Sequence, residues 1–120
     1  EWFLIAHKDF SRVSIRLTEG DIEDAAFHLQ QALEKALKGF LLARGWTLRK
    51  IHDLLLLLGD AVRFEPLLES FRPLCQQVNG YYLTERYPGL GALPEAETIE
   101  SILPDAQAFL RKLGVTLESV

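Results

Sequence analysis

The chain has 120 residues, of which 48% are apolar and 25% charged, so it is long and apolar enough for one folded domain, residues 1–120, and is not disordered. A net charge of −4 argues against a protein that wraps duplex nucleic acid by bulk charge. The single cysteine, Cys75, excludes an intrachain disulfide and is expected to be a small core residue. The longest apolar run, Leu54 to Leu58, is far too short to cross a bilayer, and a cytoplasmic protein without membrane contact is expected.

The first two predicted elements are amphipathic helices. Apolar residues at steps of three and four predict one helix from Trp2 to Leu17. A longer stripe predicts a second helix of about twenty-two residues, starting near Asp21 as N-cap and ended by Gly45. The connection between them is short, so the two helices are expected to be antiparallel neighbours. The stripe of the second helix consists of Ile22, Ala26, Leu29, Leu33, Ala36, Phe40 and Ala43.

Three further helices complete the predicted fold. The third is expected from Lys50 to about Asp60 and, because it holds five consecutive leucines, to be buried on all sides. The fourth has its apolar stripe from Phe64 to Tyr81, Pro66 in its first turn and a kink at Pro73. A loop at residues 86–91 and a fifth helix over residues 95–113 follow, the latter with Pro104 inside it. We therefore predict an all-α, up-and-down antiparallel bundle of four long helices plus one short.

The second helix also carries a polar line, in which His28, Gln31, Lys35 and Lys38 step by three and four residues. Glu34 lies four residues before Lys38, which favours a helical ion pair of a few tenths of a kcal/mol. This line is either a solvated face or a ligand-binding face. Lys38→Ala is expected to leave stability nearly unchanged while weakening any anion binding.

A basic segment extends the polar line toward His52. Five basic residues follow Glu34 with no further acid before His52, in a chain that is acidic overall. Arginine grips phosphate with two hydrogen bonds and lysine binds it as a point charge, so this segment is a candidate for binding an anionic ligand or an RNA backbone. The alternative is that these residues offset the dipole of the second helix. The five residues are Lys35, Lys38, Arg44, Arg49 and Lys50.

His52 and Asp53 stand at the start of the third helix, where each has two interpretations. Asp53 is either an N-cap or part of a binding site. His52 is either structural or, near Lys38, a phosphate ligand or a general acid or base, which makes it the candidate catalytic residue.

The predicted loop after the fourth helix holds Arg86 and Tyr87. Arg86 is a candidate phosphate ligand, and Tyr87 is placed to stack on a base. Alternatively, Arg86 caps the fourth helix and Tyr87 fills the end of the bundle. The spacing of His7, His28 and His52 matches no metal-ligand pattern, and no phosphate-cradling glycine loop occurs, so neither a metal nor a cofactor is expected.

Three motifs, QQALEKALK at residues 30–38, His52-Asp53-Leu54 and Arg86-Tyr87-Pro88, follow one another in this order. Together they resemble the HEPN domain (higher eukaryotes and prokaryotes nucleotide-binding), over nearly the whole chain. The resemblance implies a helical homodimer that binds nucleotide or RNA, of a subgroup paired with a minimal nucleotidyltransferase in a toxin–antitoxin-type pair.

Many HEPN proteins are ribonucleases, in which an Arg followed after four to six residues by a His is associated with catalysis. This sequence lacks that motif, since the nearest candidate, Arg44 to His52, has seven residues between. The resemblance therefore favours a binding module over an enzyme. The alternative is a metal-independent ribonuclease using His52 with Lys38 or Arg86.

Overall fold

The computed structural model describes residues 1–81 and 94–117, and all regular secondary structure in these ranges is helical. The predicted all-α helical bundle is confirmed. Its elements are α1 (Trp2–Thr18), α2 (Ile22–Leu42), α3 (Leu54–Phe64), a 3₁₀ helix (Pro66–Phe71), α4 (Arg72–Asn79) and α5 (Ala96–Leu113).

Helices α1 and α2 form an antiparallel pair, as predicted. Asp21 caps α2, since its carboxylate accepts a hydrogen bond of 3.1 Å from the Asp24 amide. The far ends of the two helices meet at Gly39. A Cβ atom there would lie 2.8 Å from Cε1 of Phe3 and 3.0 Å from Cβ of Trp2, so the absence of a side chain is what lets α1 approach α2 this closely.

Helix α2 lies at the centre of the bundle and contacts α1, α3, α4 and α5. Five residues of its predicted stripe are buried, whereas Ile22 is partly exposed and Ala43 is exposed. Cys75 is buried in the same core, as predicted, and burial raises the pKa of its thiol to about 12. The buried stripe residues are Ala26, Leu29, Leu33, Ala36 and Phe40.

The predicted start and the predicted complete burial of the third helix were wrong. It begins at Leu54 and not at Lys50, because the Asp53 carboxylate caps it by accepting hydrogen bonds from the amides of Leu55 (2.9 Å) and Leu56 (3.4 Å). The leucine run is not buried on all sides, since Leu56 is 60% exposed. The helix extends to Phe64, four residues beyond the predicted end.

The fourth predicted helix is divided in two. Glu65 is extended (φ −142°), and the 3₁₀ helix begins directly after it at Pro66. Pro73 does not kink a continuous helix but lies in the first turn of α4, where its missing N–H has no intrahelical partner to lose. Pro104, by contrast, lies inside the continuous helix α5, which ends at Leu113 with Gly114 (φ 119°) as its C-cap.

Among the described residues, no helix combines the length and the apolar character that spanning a lipid bilayer requires. Two surface cavities, of about 370 and 330 Å³, lie between α1 and the C-terminal half of the chain. Their described lining residues come from α1, from α5 and from the segment that follows α5.

Candidate functional site

A buried carboxylate, that of Glu34 on α2, is the centre of the candidate site. Glu34 is fully buried, and its atom Oε1 accepts hydrogen bonds from Gln30 Nε2 (3.2 Å) and His52 Nδ1 (3.0 Å). Its atom Oε2 accepts a hydrogen bond from Lys38 Nζ (3.1 Å) and lies 3.7 Å from Lys35 Nζ. We call these five residues the Glu34 cluster.

Three hydrogen bonds and a fourth, ionic contact surround the carboxylate of Glu34. The hydrogen bonds come from Gln30, Lys38 and His52, and the ammonium group of Lys35 lies 3.7 Å away. Burial by itself raises the pKa of Glu34. Hydrogen bonds from His52 and Gln30, together with the charge and hydrogen bond of Lys38, outweigh burial, so the pKa lies below its ordinary value. The cluster therefore holds an ionised glutamate inside the protein.

Lys38 does not lie on a solvated face, although the predicted helical ion pair with Glu34 is present at 3.1 Å. Its side chain is 5% exposed and its ammonium group is bonded to a carboxylate that solvent does not reach. Removing Lys38 would leave that carboxylate without its nearest full positive charge, so the structure favours a loss of stability in Lys38→Ala, contrary to the prediction from the sequence.

His52 joins the cluster from the segment that precedes α3. Its ring bonds to Glu34, while its backbone carbonyl accepts a hydrogen bond of 3.2 Å from Gln30 Nε2. Two side chains of α2 thus hold both the ring and the main chain of His52. The side chain remains 43% exposed, which places the ring at the surface of the cluster.

Lys35 occupies the opposite edge of the cluster. Its Nζ lies 5.5 Å from the ring centroid of Trp2, so a cation–π contact ties it to α1. Its side chain is 24% exposed. The structure therefore brings Lys35, Lys38 and His52 together at one carboxylate, with Lys38 beneath and the other two partly open to solvent.

Asp53 connects α3 to α4 through the hydrogen bonds of its carboxylate. Besides capping α3, its Oδ1 accepts a hydrogen bond of 3.1 Å from Asn79 Nδ2. Asn79 Oδ1 in turn accepts a hydrogen bond of 2.7 Å from the Leu54 amide. Of the two interpretations of Asp53, the structure shows the N-cap.

Gln31, at the edge of the cluster, is partly exposed and donates a hydrogen bond of 2.6 Å to Gln30 Oε1. Arg86 and Tyr87, with the predicted loop that holds them, lie outside the described residues. Their roles stay predictions.

The remaining basic residues of the segment do not join the cluster's hydrogen bonds. The Arg44 guanidinium stacks 3.5 Å from the Phe40 ring centroid and donates to the Phe40 carbonyl. Arg49 and Lys50 are exposed in the segment before His52.

His28, the first residue of the predicted polar line, belongs to a different set of contacts. Its ring nitrogens lie 2.9 Å from Asp9 Oδ1 on α1 and 3.3 Å from Asp24 Oδ2. The polar line therefore divides into an α1–α2 contact at His28 and the Glu34 cluster further along α2.

Sequence reasoning missed the roles of Gln30 and Asn79, and for Glu34 it predicted the pair with Lys38 but not the burial or the contact with His52. A usable signal existed for α2, since Gln30, Glu34 and Lys38 step by four and so share one side of the helix. Glu34 also follows Leu33 of the buried stripe directly. Asn79 carries no comparable signal, because its partners are Asp53 and Leu54, about twenty-five residues away.

A family model for the HEPN domain matches residues 1–115, which includes every residue of the Glu34 cluster. The chain belongs to the HEPN family. No curated protein and no solved structure matches it. Two of the resembling motifs meet in this HEPN domain. Side chains of residues 30–38 and the His52 ring of the second motif contact one buried carboxylate, that of Glu34.

Proposed function

We propose that this HEPN domain is a dimeric binding module for nucleotides or RNA, and that the Glu34 cluster receives a phosphate group. Membership of the HEPN family supports a nucleotide- or RNA-related role. The observation that carries the proposal is the convergence of Lys35, Lys38 and His52 on a single glutamate. Two lysines against one carboxylate leave a positive charge even when the histidine is neutral.

The roles in the proposed site follow from exposure. Lys35 and His52 are open enough to touch a ligand, whereas Lys38 contributes charge from beneath them. Gln31 is a further contact at the edge. We also propose that Arg86 binds phosphate and that Tyr87 stacks on a base. Asp53 contributes by holding the start of α3, next to His52.

Titration calorimetry with AMP and with a short single-stranded RNA tests this proposal. Lys35→Gln is expected to weaken binding about tenfold, because a hydrogen bond to a charged group contributes roughly 1.5 kcal/mol or more. Lys112→Gln is the matched control, since Lys112 is exposed near the C-terminal end of α5. Equal affinities for wild type and Lys35→Gln, or no binding by wild type, would contradict the proposal.

The proposed partners are a second copy of the chain and a minimal nucleotidyltransferase, in a toxin–antitoxin-type pair. The family resemblance motivates both. Large apolar side chains exposed on α1, on α3 and just beyond support a protein-binding surface, among them Leu4 (59%), Ile15 (52%), Leu56 (60%), Phe64 (50%) and Leu67 (66%). Sedimentation at micromolar concentration tests the dimer, and a monomer there would exclude it. Co-purification with the product of a neighbouring nucleotidyltransferase gene tests the second partner.

The alternative function is a metal-independent ribonuclease that uses His52 with Lys38 or Arg86. The observation in its favour is that His52 and Lys38 bond to the two oxygens of one carboxylate, which places a general acid or base near a fixed cation. RNA cleavage that persists in EDTA and disappears in His52→Ala would support this alternative. Equal cleavage by both proteins would exclude His52 as the catalytic residue.

A further inference from the structure

We propose that the smaller surface cavity, between α1 and α5, binds a primary alkylammonium group, the charged end of a lysine side chain or of a free aliphatic amine. Its volume of about 330 Å³ is near the lower end of the roughly 300 to 1,000 Å³ typical of small-molecule sites. Helices α1 and α5 both pack on α2, and the cavity is the space between them. Its described lining residues include no member of the Glu34 cluster, so this site is separate from the proposed phosphate site. They are Phe10, Ser14, Glu100, Leu103, Pro104 and Gln107.

A proline inside α5 frees a backbone oxygen at this cavity from its usual helical donor. Pro104 lies within the continuous helix Ala96–Leu113. In an α-helix the N–H of each residue donates to the carbonyl four residues earlier, but Pro104 has no N–H to donate to the carbonyl of Glu100. Both residues line the cavity. The Glu100 carbonyl oxygen is therefore an acceptor for a donor group placed in the cavity.

The side chain of Glu100 adds a negative charge beside this carbonyl. Glu100 is exposed, and no ion pair within residues 1–81 and 94–117 engages its carboxylate. Ser14 and Gln107 contribute a hydroxyl and an amide to the cavity wall, and the oxygens of both groups accept hydrogen bonds. An ammonium group has three N–H donors and no acceptor, so it matches this set of oxygens in charge and in hydrogen bonding. An anionic ligand would instead meet a like charge.

The rest of the cavity wall is apolar and determines what the ammonium group is attached to. Phe10, Leu103 and the ring of Pro104 offer hydrocarbon surface against which a methylene chain packs. The face of the Phe10 ring also attracts a cation. A metal ion would leave this surface unused, so the cavity favours an ammonium group on an aliphatic chain, as in the side chain of lysine.

A titration of the full chain with n-butylamine at neutral pH, followed by ¹H–¹⁵N chemical shifts, tests the site. We expect saturable shifts at the amides of Ser14, Leu103 and Gln107, and none with n-butanol, which has the same chain length without the charge. Nα-acetyl-lysine methylamide distinguishes the two sources of the group. Tighter binding than n-butylamine would indicate a lysine side chain of a partner protein, and weaker binding a free amine. No saturable shift with either amine, or equal binding of n-butanol, would overturn the proposal.

Three variants test the two acceptors of Glu100. Glu100→Gln removes the charge at nearly constant size and is expected to weaken n-butylamine binding about threefold to fivefold, as for an ion pair at a solvated site. Asp105→Asn is the matched control and should bind as wild type, because Asp105 is exposed on α5 and is not among the described lining residues. Pro104→Ala supplies the missing N–H to the Glu100 carbonyl and is expected to weaken binding about twofold or more. Glu100 and Pro104 are both exposed, so these variants are expected to fold, which circular dichroism checks. Unchanged affinity in Glu100→Gln or in Pro104→Ala would overturn the proposal.

Discussion

Lys38→Met tests the interpretation that Lys38 is a structural cation. Methionine keeps a long unbranched side chain, so the variant removes mainly the ammonium group that lies 3.1 Å from Glu34 Oε2. Removing one partner of a buried ion pair costs about 3 to 5 kcal/mol. Here His52, Gln30 and Lys35 still face the carboxylate, which lowers the expected loss of stability to about 2 to 4 kcal/mol.

Urea unfolding followed by circular dichroism measures this loss, with the exposed Lys112→Met as control. We expect the control to stay close to wild type. In a Glu34→Gln background the same Lys38→Met change is expected to cost less, because the buried negative charge has already been removed. A Lys38→Met protein as stable as Lys112→Met would refute the buried ion pair.

Three other changes test separate parts of the fold. The pKa of Glu34 is lower in the folded than in the unfolded chain, so its ionisation stabilises the fold at pH values above the ordinary pKa of 4.5. This contribution is lost as the pH falls through the folded pKa, and the stability difference between wild type and Glu34→Gln should therefore shrink on acidification. A difference that stays constant with pH would contradict this expectation. Gly39→Ala should destabilise by about 1 to 3 kcal/mol through contact with Phe3, whereas Gly59→Ala in α3, with open space around its Cβ, should be neutral or stabilising in the same urea experiment. Asp53→Ala removes the cap of α3 and should cost about 1 kcal/mol or more, and a protein of wild-type stability would contradict that role.

The helices that the sequence predicted well are those whose signal is local. In α1 and α2 the steps of three and four, with the tight connection at Gly20 and Asp21, determine the pairing of the two helices. The division of the fourth predicted helix into a 3₁₀ helix and α4 could not be predicted in this way. The same apolar spacing fits one kinked helix equally well. Pro66 and Pro73 each lie in the first turn of an element, but the sequence does not show whether Pro73 begins a new helix or kinks a continuous one.

The sequence predicted several residues of the candidate site but not how they are arranged. Lys35, Lys38 and His52 were selected by charge and spacing, and the structure does gather them. The burial of Glu34 could not be read from α2 alone, since an ion pair four residues apart looks the same on a surface and in an interior. One of the groups that distinguishes the two cases is His52, eighteen residues further along the chain.

The most direct test of the Glu34 cluster is a double-mutant cycle in unfolding free energy with Glu34→Gln, His52→Ala and the combined variant. If the buried carboxylate holds the histidine, the two effects are coupled, and the double variant should be less destabilised than the sum of the single variants by roughly 0.5 to 3 kcal/mol. Additive effects would contradict the claim that Glu34 holds His52 in place.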